Sequence, residues 1–252
     1  QMVMILPLKV GFLQDVQEGK EMDAEKLKRE LFSLLTKKGA KLMGVADLSR
    51  IVDGVMRTGV SVAVPVPKNI VKDLQTAPTK EYYDAYYALN AMLDGIVTCG
   101  AGFLREKGYE ACANTTKIVK LDDNWRTPLP HKTVATRAGL GWIGKNCLLV
   151  TERYGGAVRL SSLVTDAPLP VGTPIDDSRC GGCTVCVAKC PGKALTGVLW
   201  NRDRSREELF RKEACWEMQV RRMKEATGIE TDLCGLCFAV CPYTQRYLKR
   251  QA

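Results

Sequence analysis

Eleven cysteines occur in this chain of 252 residues, and eight of them fall between Cys180 and Cys241. The first four read Cys180-Gly-Gly-Cys183-Thr-Val-Cys186-Val-Ala-Lys-Cys190-Pro191. Intervals of two, two and three residues followed by proline are the spacing of a bacterial ferredoxin run. Three thiolates from one loop hold three corners of an iron–sulfur cubane, and the fourth cysteine leans away to a second cluster. A second set reads Cys234-Gly-Leu-Cys237-Phe-Ala-Val-Cys241-Pro242, one ligand short, with Cys215 upstream to complete it. Crosswise sharing then predicts Cys180, Cys183, Cys186 and Cys241 on one 4Fe-4S cluster and Cys190, Cys215, Cys234 and Cys237 on the other. Structural zinc is the competing chemistry, but zinc usually takes two separated Cys-x-x-Cys pairs rather than a triple run ending in Cys-Pro. Electron transfer is the expected business of this region. Cys99, Cys112 and Cys147 lie outside the pattern and read as ordinary buried thiols.

The elements that must carry this module come before it. Residues 1–170 alternate helical and strand-like patterns, as an α+β domain with α/β-type layers would, and residues 171–252 form the small ferredoxin-like module. Asp23 caps an expected helix through residue 38, with Leu27, Leu31, Leu34 and Leu35 on one face and Gly39 as its stop. Residues 41–46 and 60–66 read as strands, as do 118–121 and 158–165. Residues 79–107 are a long helical stretch with a break expected near 95–102, and Pro168, Pro170, Gly172 and Pro174 make a linker.

Gly139-Leu-Gly-Trp-Ile-Gly144 matches a dinucleotide fingerprint, and residues 139–145 match a phosphate loop apart from Asn146. Both motifs require a strand before the glycines and a helix after them. Here residues 133–138 look helical and 147–151 strand-like, so Gly139 reads as a helix C-cap. Such a turn still allows a flat cofactor to approach the backbone.

The stretch Arg137-Ala-Gly-Leu-Gly-Trp-Ile-Gly-Lys-Asn146, then Leu160-Ser-Ser-Leu-Val-Thr-Asp-Ala-Pro-Leu-Pro170, then the double cysteine module resembles the epoxyqueuosine reductase family, itself related to the reductive dehalogenases. The resemblance implies a nitroreductase-like N-terminal domain holding a base-off cobalamin beside one of two cubanes. It also implies an external donor such as ferredoxin or flavodoxin, feeding the outer cluster, the inner one and then cobalt. Residue by residue, it assigns Gly139, Leu140, Gly141, Trp142, Gly144, Lys145, Asn146, Leu160, Ser161 and Ser162 to the cofactor. The family's acidic position before the glycine turn is occupied here by Trp125, and its glutamate position by His131, with Asp122 and Asp123 nearby. The helical repeats that usually follow the module are missing, so tRNA is not expected among the partners. A small-molecule or nucleoside-like substrate is.

His131 and Asp123 are the candidate proton donors, His131 because an ordinary imidazole titrates near neutrality. Tyr83, among Tyr82, Tyr83, Tyr86 and Tyr87, is a third, against the plainer role of an amphipathic packing face. Arg202, Arg204, Arg206, Arg211 and Lys212 read either as a docking face for an acidic donor or as a solvated helix. Residues 201–224 carry eight positive and five negative side chains, so a net charge of +9 overall is spread out and leaves a weak nucleic-acid footprint. Residues 2–10 are apolar but short, and no apolar run of ~18 residues is expected to cross a membrane, which favours the cytoplasm. Three functions follow from this reading: a corrinoid-dependent reductase, a redox partner without its own substrate, and a flavin-binding reductase.

Overall fold

The computed structural model describes residues 10–250; the apolar opening, residues 2–9, lies outside them. In chain order come α1 (Val10–Lys37), β1 (Leu42–Asp47), β2 (Thr58–Pro65), α2 (Lys68–Asp73), α3 (Lys80–Glu106) and β3 (Ala111–Asn114). They are followed by α4 (His131–Arg137), β4 (Trp142–Ile143), β5 (Leu149–Val150) and β6 (Val158–Thr165). The tail adds α5 (Val185–Lys189), α6 (Arg206–Leu209), α7 (Lys212–Thr227), α8 (Leu236–Ala239) and α9 (Pro242–Lys249).

Four strands form one antiparallel sheet in the order β1-β2-β6-β3. Period-two alternation decides its faces. Val60, Val62 and Val64 of β2 and Leu163 of β6 pack against Leu27, Leu31 and Leu35 of α1 and Leu93, Ile96 and Val97 of α3. The opposite face receives α4, whose Val134 and Ala138 meet Ala46, Leu48 and Val164. The result is a mixed helix-and-sheet architecture.

Several local expectations change. α1 begins at Val10, so Asp23 is a residue inside the helix and not its cap. Leu34 is half-buried, while Leu27, Leu31 and Leu35, spaced by four, make the core seam. α3 runs unbroken through its glycines. A Cβ on Gly100 would lie 2.9 Å from Leu163 and 3.0 Å from Leu35, so that glycine serves close packing within the helix. By length and composition α3 is apolar enough to cross a membrane, contrary to expectation, yet its apolar stripe is the one packed on the sheet. No strand forms at 118–121, where Ile118 and Leu121 are exposed; β3 pairs with β6 instead. Asp94 holds that loop by accepting from the backbone N–H and hydroxyl of Thr116.

The cysteine-bearing tail docks on this scaffold through a shared apolar cluster. Leu233, Phe238 and Tyr247 pack with Val66, Leu74 and Tyr82, and Tyr154 meets Tyr247 edge-on at 5.2 Å. The Tyr247 hydroxyl donates to the Val66 carbonyl at 3.1 Å. Thr244, fully buried, accepts from the Gly156 N–H at 3.0 Å.

Candidate metal centres and the adjoining cavity

The site is built around one turn. α4 ends with Gly139 at φ +75°, where the Leu140 N–H returns to the Ala135 carbonyl and the Gly139 N–H to Thr136, a Schellman ending. The chain then forms the hairpin β4–β5, whose turn is closed by bonds from Gly144 N–H to the Leu148 carbonyl and from Cys147 N–H to the Gly144 carbonyl. Cys147 pays no glycine-like exemption here: it adopts φ +58°, a conformation L-residues avoid.

Two cavities flank this turn. Cys180, Cys183, Cys186 and Cys241 line the smaller one, with Lys145, Asn146 and Tyr243. Cys190, Cys215, Cys234 and Cys237 line the larger, of about 530 Å³, with Cys147 and Asn146. Successive turn residues thus face different neighbours: Lys145 the first quartet, Asn146 both, Cys147 the second. Asn146 is held by accepting from the Leu148 N–H at 3.2 Å.

Every cysteine among the described residues is a free thiol. Burial, reinforced by Cys241, Cys180 and Cys183, pushes the Cys186 thiol up to about 11. Burial together with Cys190 and Cys234 does the same to Cys215, also to about 11. Burial raises Cys237 and Cys241 too. Such crowded thiols ionise only beside a compensating cationic centre, which is what bound iron supplies.

The donor set fits clusters better than single ions. Four thiolates on one zinc lie roughly 3.8 Å apart, given metal–sulfur bonds of about 2.3 Å. Among the described residues no three His, Cys, Asp or Glu side chains are grouped tightly enough for one ion. Thiolates round a cubane each bind a different iron and stand further apart. Donors for sulfur are also present: the Ala194 N–H reaches Cys190 Sγ at 3.4 Å, and Gln219 Nε2 reaches Cys215 Sγ at 3.4 Å. Trp142 Nε1, fully buried and packed near Cys241, has no partner among the described residues, an orphan donor of the kind cluster sulfur can satisfy.

Residues 179–244 match the family described as 4Fe-4S double cluster binding domain. Part of this chain, the module included, is similar to epoxyqueuosine reductases. An epoxyqueuosine reductase of Bacillus cereus is 46% identical over 67 residues, which is 27% of this chain and 17% of that relative. The chain therefore aligns with less than a fifth of that curated relative's length. An epoxyqueuosine reductase solved with an epoxyqueuosine-modified tRNA stem loop shares the fold at TM-score 0.57 and 22% identity, covering 87% of this chain and 66% of the other. A reductive dehalogenase associated with B12-dependent dehalogenation does so at TM-score 0.62 and 20% identity, covering 84% and 31%.

Around the double-cluster module the other nominated residues scatter. Leu160 and Asn146 line the large cavity, whereas Gly139, Leu140, Gly141, Trp142, Gly144, Ser161 and Ser162 are not among its lining residues. Backbone lies close to two of the glycines: a Cβ on Gly139 would sit 2.6 Å from the Thr173 carbonyl oxygen, and one on Gly141 2.2 Å from that of Val150. Ser161 and Ser162 act from behind the wall; Ser162 Oγ lies 2.9 Å from His131 Nδ1, and the Ser161 hydroxyl donates to the Asn114 carbonyl.

His131 lines the large cavity, where burial and the Arg159 guanidinium hold it down at about 4, so it is neutral near pH 7. Asp123 is exposed and lines neither cavity; the Asp122 carboxylate caps its own loop through the Asn124 and Arg126 N–H groups. Trp125 is exposed at φ +56°, with its ring 5.9 Å from that of Trp216. Tyr83 is turned away onto Tyr87, while Tyr82 and Tyr86, four apart on α3, reach the cavity. The sequence missed Lys132, Cys147 and Arg159 on this wall. Lys132 Nζ donates to the Cys147 carbonyl at 2.9 Å and lies 3.6 Å from its Sγ. Arg159 is gripped by Asn90 and lies 4.0 Å over the Tyr86 ring. Cys99 and Cys112 are half-buried thiols elsewhere.

The expected docking face is largely self-neutralised. Arg202, Arg204, Arg206 and Lys212 pair with Asp203, Glu208, Glu207 and Glu213, and Arg206 also donates to the Asn124 and Trp125 carbonyls.

Proposed function

We propose that this chain is an iron–sulfur reductase in which Cys180, Cys183, Cys186 and Cys241 hold an outer 4Fe-4S cluster. Cys190, Cys215, Cys234 and Cys237 hold an inner one, and electrons pass from outer to inner and on to a cofactor in the large cavity. The observation that carries this reading is the single hairpin turn, residues 144–148, with one cysteine quartet on each side and Asn146 in both walls. So short a partition suits charge transfer between two centres.

A corrinoid is the cofactor class favoured, by likeness to the B12-associated dehalogenase and by the lining. Tyr82, Tyr86, Leu148, Leu160 and Phe210 offer a largely apolar bed for a flat ring, and Lys132 and Arg159 anchor its polar or anionic substituents. When bound, such a group supplies reductive nucleophilic or radical chemistry, and the protein supplies position and potential. Tyr82, kept protonated by burial, holds its phenolic proton at the cavity wall, with the Tyr86 ring beside it. His131, neutral and fixed by Ser162, orients rather than protonates.

The substrate is a small organic or nucleoside-like molecule; epoxyqueuosine within tRNA is the second reading, on the strength of the relative solved with a stem loop. Residues 1–170 are read as a nitroreductase-like domain and 171–252 as the ferredoxin-like one. A one-electron protein such as ferredoxin or flavodoxin is the donor, and the free thiols suit a reducing cytoplasm. Anaerobic reconstitution with iron, sulfide and hydroxocobalamin tests the reading: about eight irons per chain and a base-off corrin spectrum are expected. Zinc in place of iron, or retention of flavin mononucleotide and not the corrinoid, overturns it.

A further inference from the structure

We propose that Lys145 is the buried counter-charge of the outer cluster and raises its reduction potential; this rests on the cluster reading above. Lys145 is 6% exposed and lines the cavity bounded by Cys180, Cys183, Cys186 and Cys241. Its Nζ donates to the Gly181 carbonyl at 2.9 Å, inside the loop that carries Cys180 and Cys183. No carboxylate lines that cavity, and among the described residues Lys145 has no carboxylate within salt-bridge distance.

An ammonium removed from water without an anion is costly, and one carbonyl occupies only one of its three N–H bonds. The electrostatic need is met by a cluster bearing four thiolates, whose net charge is about −2 when oxidised and about −3 when reduced. Reduction adds one electron from a one-electron donor and breaks no bond. A nearby fixed cation stabilises the more negative form and so favours reduction. The turn leaves Lys145 little choice of neighbour, because the same bonds that present Cys147 to the far side present Lys145 to this quartet.

The competing role is mechanical, a pin that fixes the Gly181 carbonyl and nothing more. Parent, K145Q and K145R full-length chains, reconstituted anaerobically, separate the two by iron analysis and dithionite titration followed by electron paramagnetic resonance. Glutamine keeps a donor without the charge; arginine keeps the charge. At a poise where half the parent's outer clusters are reduced, roughly a tenth or fewer should be reduced in K145Q, with K145R close to the parent. The inner cluster's signal should move little. Loss of about four irons in K145Q but not in K145R also supports the counter-charge. An unshifted potential in a fully loaded K145Q, or equal loss of the outer cluster in both variants, overturns the proposal while leaving the cluster reading intact. A parent that takes up no iron overturns both.

Discussion

Cys186 and Cys237 sit in different quartets, and each should answer for one centre alone. Cys186→Ser and Cys237→Ser are expected to retain about four of about eight irons, with different resonance signals surviving in the two variants. Loss of all iron in both would instead mean that the quartets assemble as one unit. The thiols' upward shifts, caused first by burial, add a direction with pH. Iron binding must displace protons from Cys186 and Cys215, so cluster retention against a chelator should weaken as pH falls. His131 titrates on its own account. Its folded value of about 4 lies below the ordinary 6.5, so between those values the unfolded chain binds the extra proton. Stability is therefore complete above about 6.5 and is lost as pH falls towards 4, by at most about 3 kcal/mol. In His131→Gln that part of the acid slope in denaturation midpoint should vanish.

Among the elements, the β4–β5 hairpin matters out of proportion to its two short strands. Gly141 has the Val150 carbonyl oxygen where a Cβ would stand, 2.2 Å away, so Gly141→Ala must push the strands apart. A cost of about 1–3 kcal/mol is expected in thermal or denaturant unfolding. Because the displaced turn borders both cavities, both clusters should become labile, and oxygen bleaching would speed up in each signal. The sequence marked this stretch through its glycines, which the family resemblance assigned to a cofactor. A one-dimensional pattern records that a backbone must come close to something; whether that is a ligand or the Val150 and Thr173 carbonyls depends on which strands pair. The tyrosines teach the same lesson. Helical spacing put Tyr82 and Tyr86 on one stripe and Tyr83 and Tyr87 on the next, and only the docked tail shows that the first stripe meets the cavity.

For the whole molecule, the tail and the sheet scaffold share an apolar cluster, so they should unfold together. Phe238, 6% exposed between Cys237 and Ala239, packs with residues from β2's end through α3. Phe238→Ala should cost about 3–5 kcal/mol, with far-ultraviolet circular dichroism and cluster absorbance falling in one transition. Two separated transitions would show that the module and scaffold are independent.

The cysteine intervals determined the chemistry by themselves, because ligands drawn from one loop must obey a spacing that few other demands impose. They also paired the run with its distant completing cysteines, a grouping that coincides with the linings of the two cavities. Amphipathic periodicity likewise located α3, β2 and β6, since burial of one face is a local property of the pattern. Only the tertiary structure decided that Lys145, Asn146 and Cys147 face three different surroundings, that burial and then Arg159 lower His131, and that Asp123 lines neither cavity. Neighbours such as these arrive from remote parts of the chain, and charge, solvation and proton affinity depend on what a residue finds beside it in space.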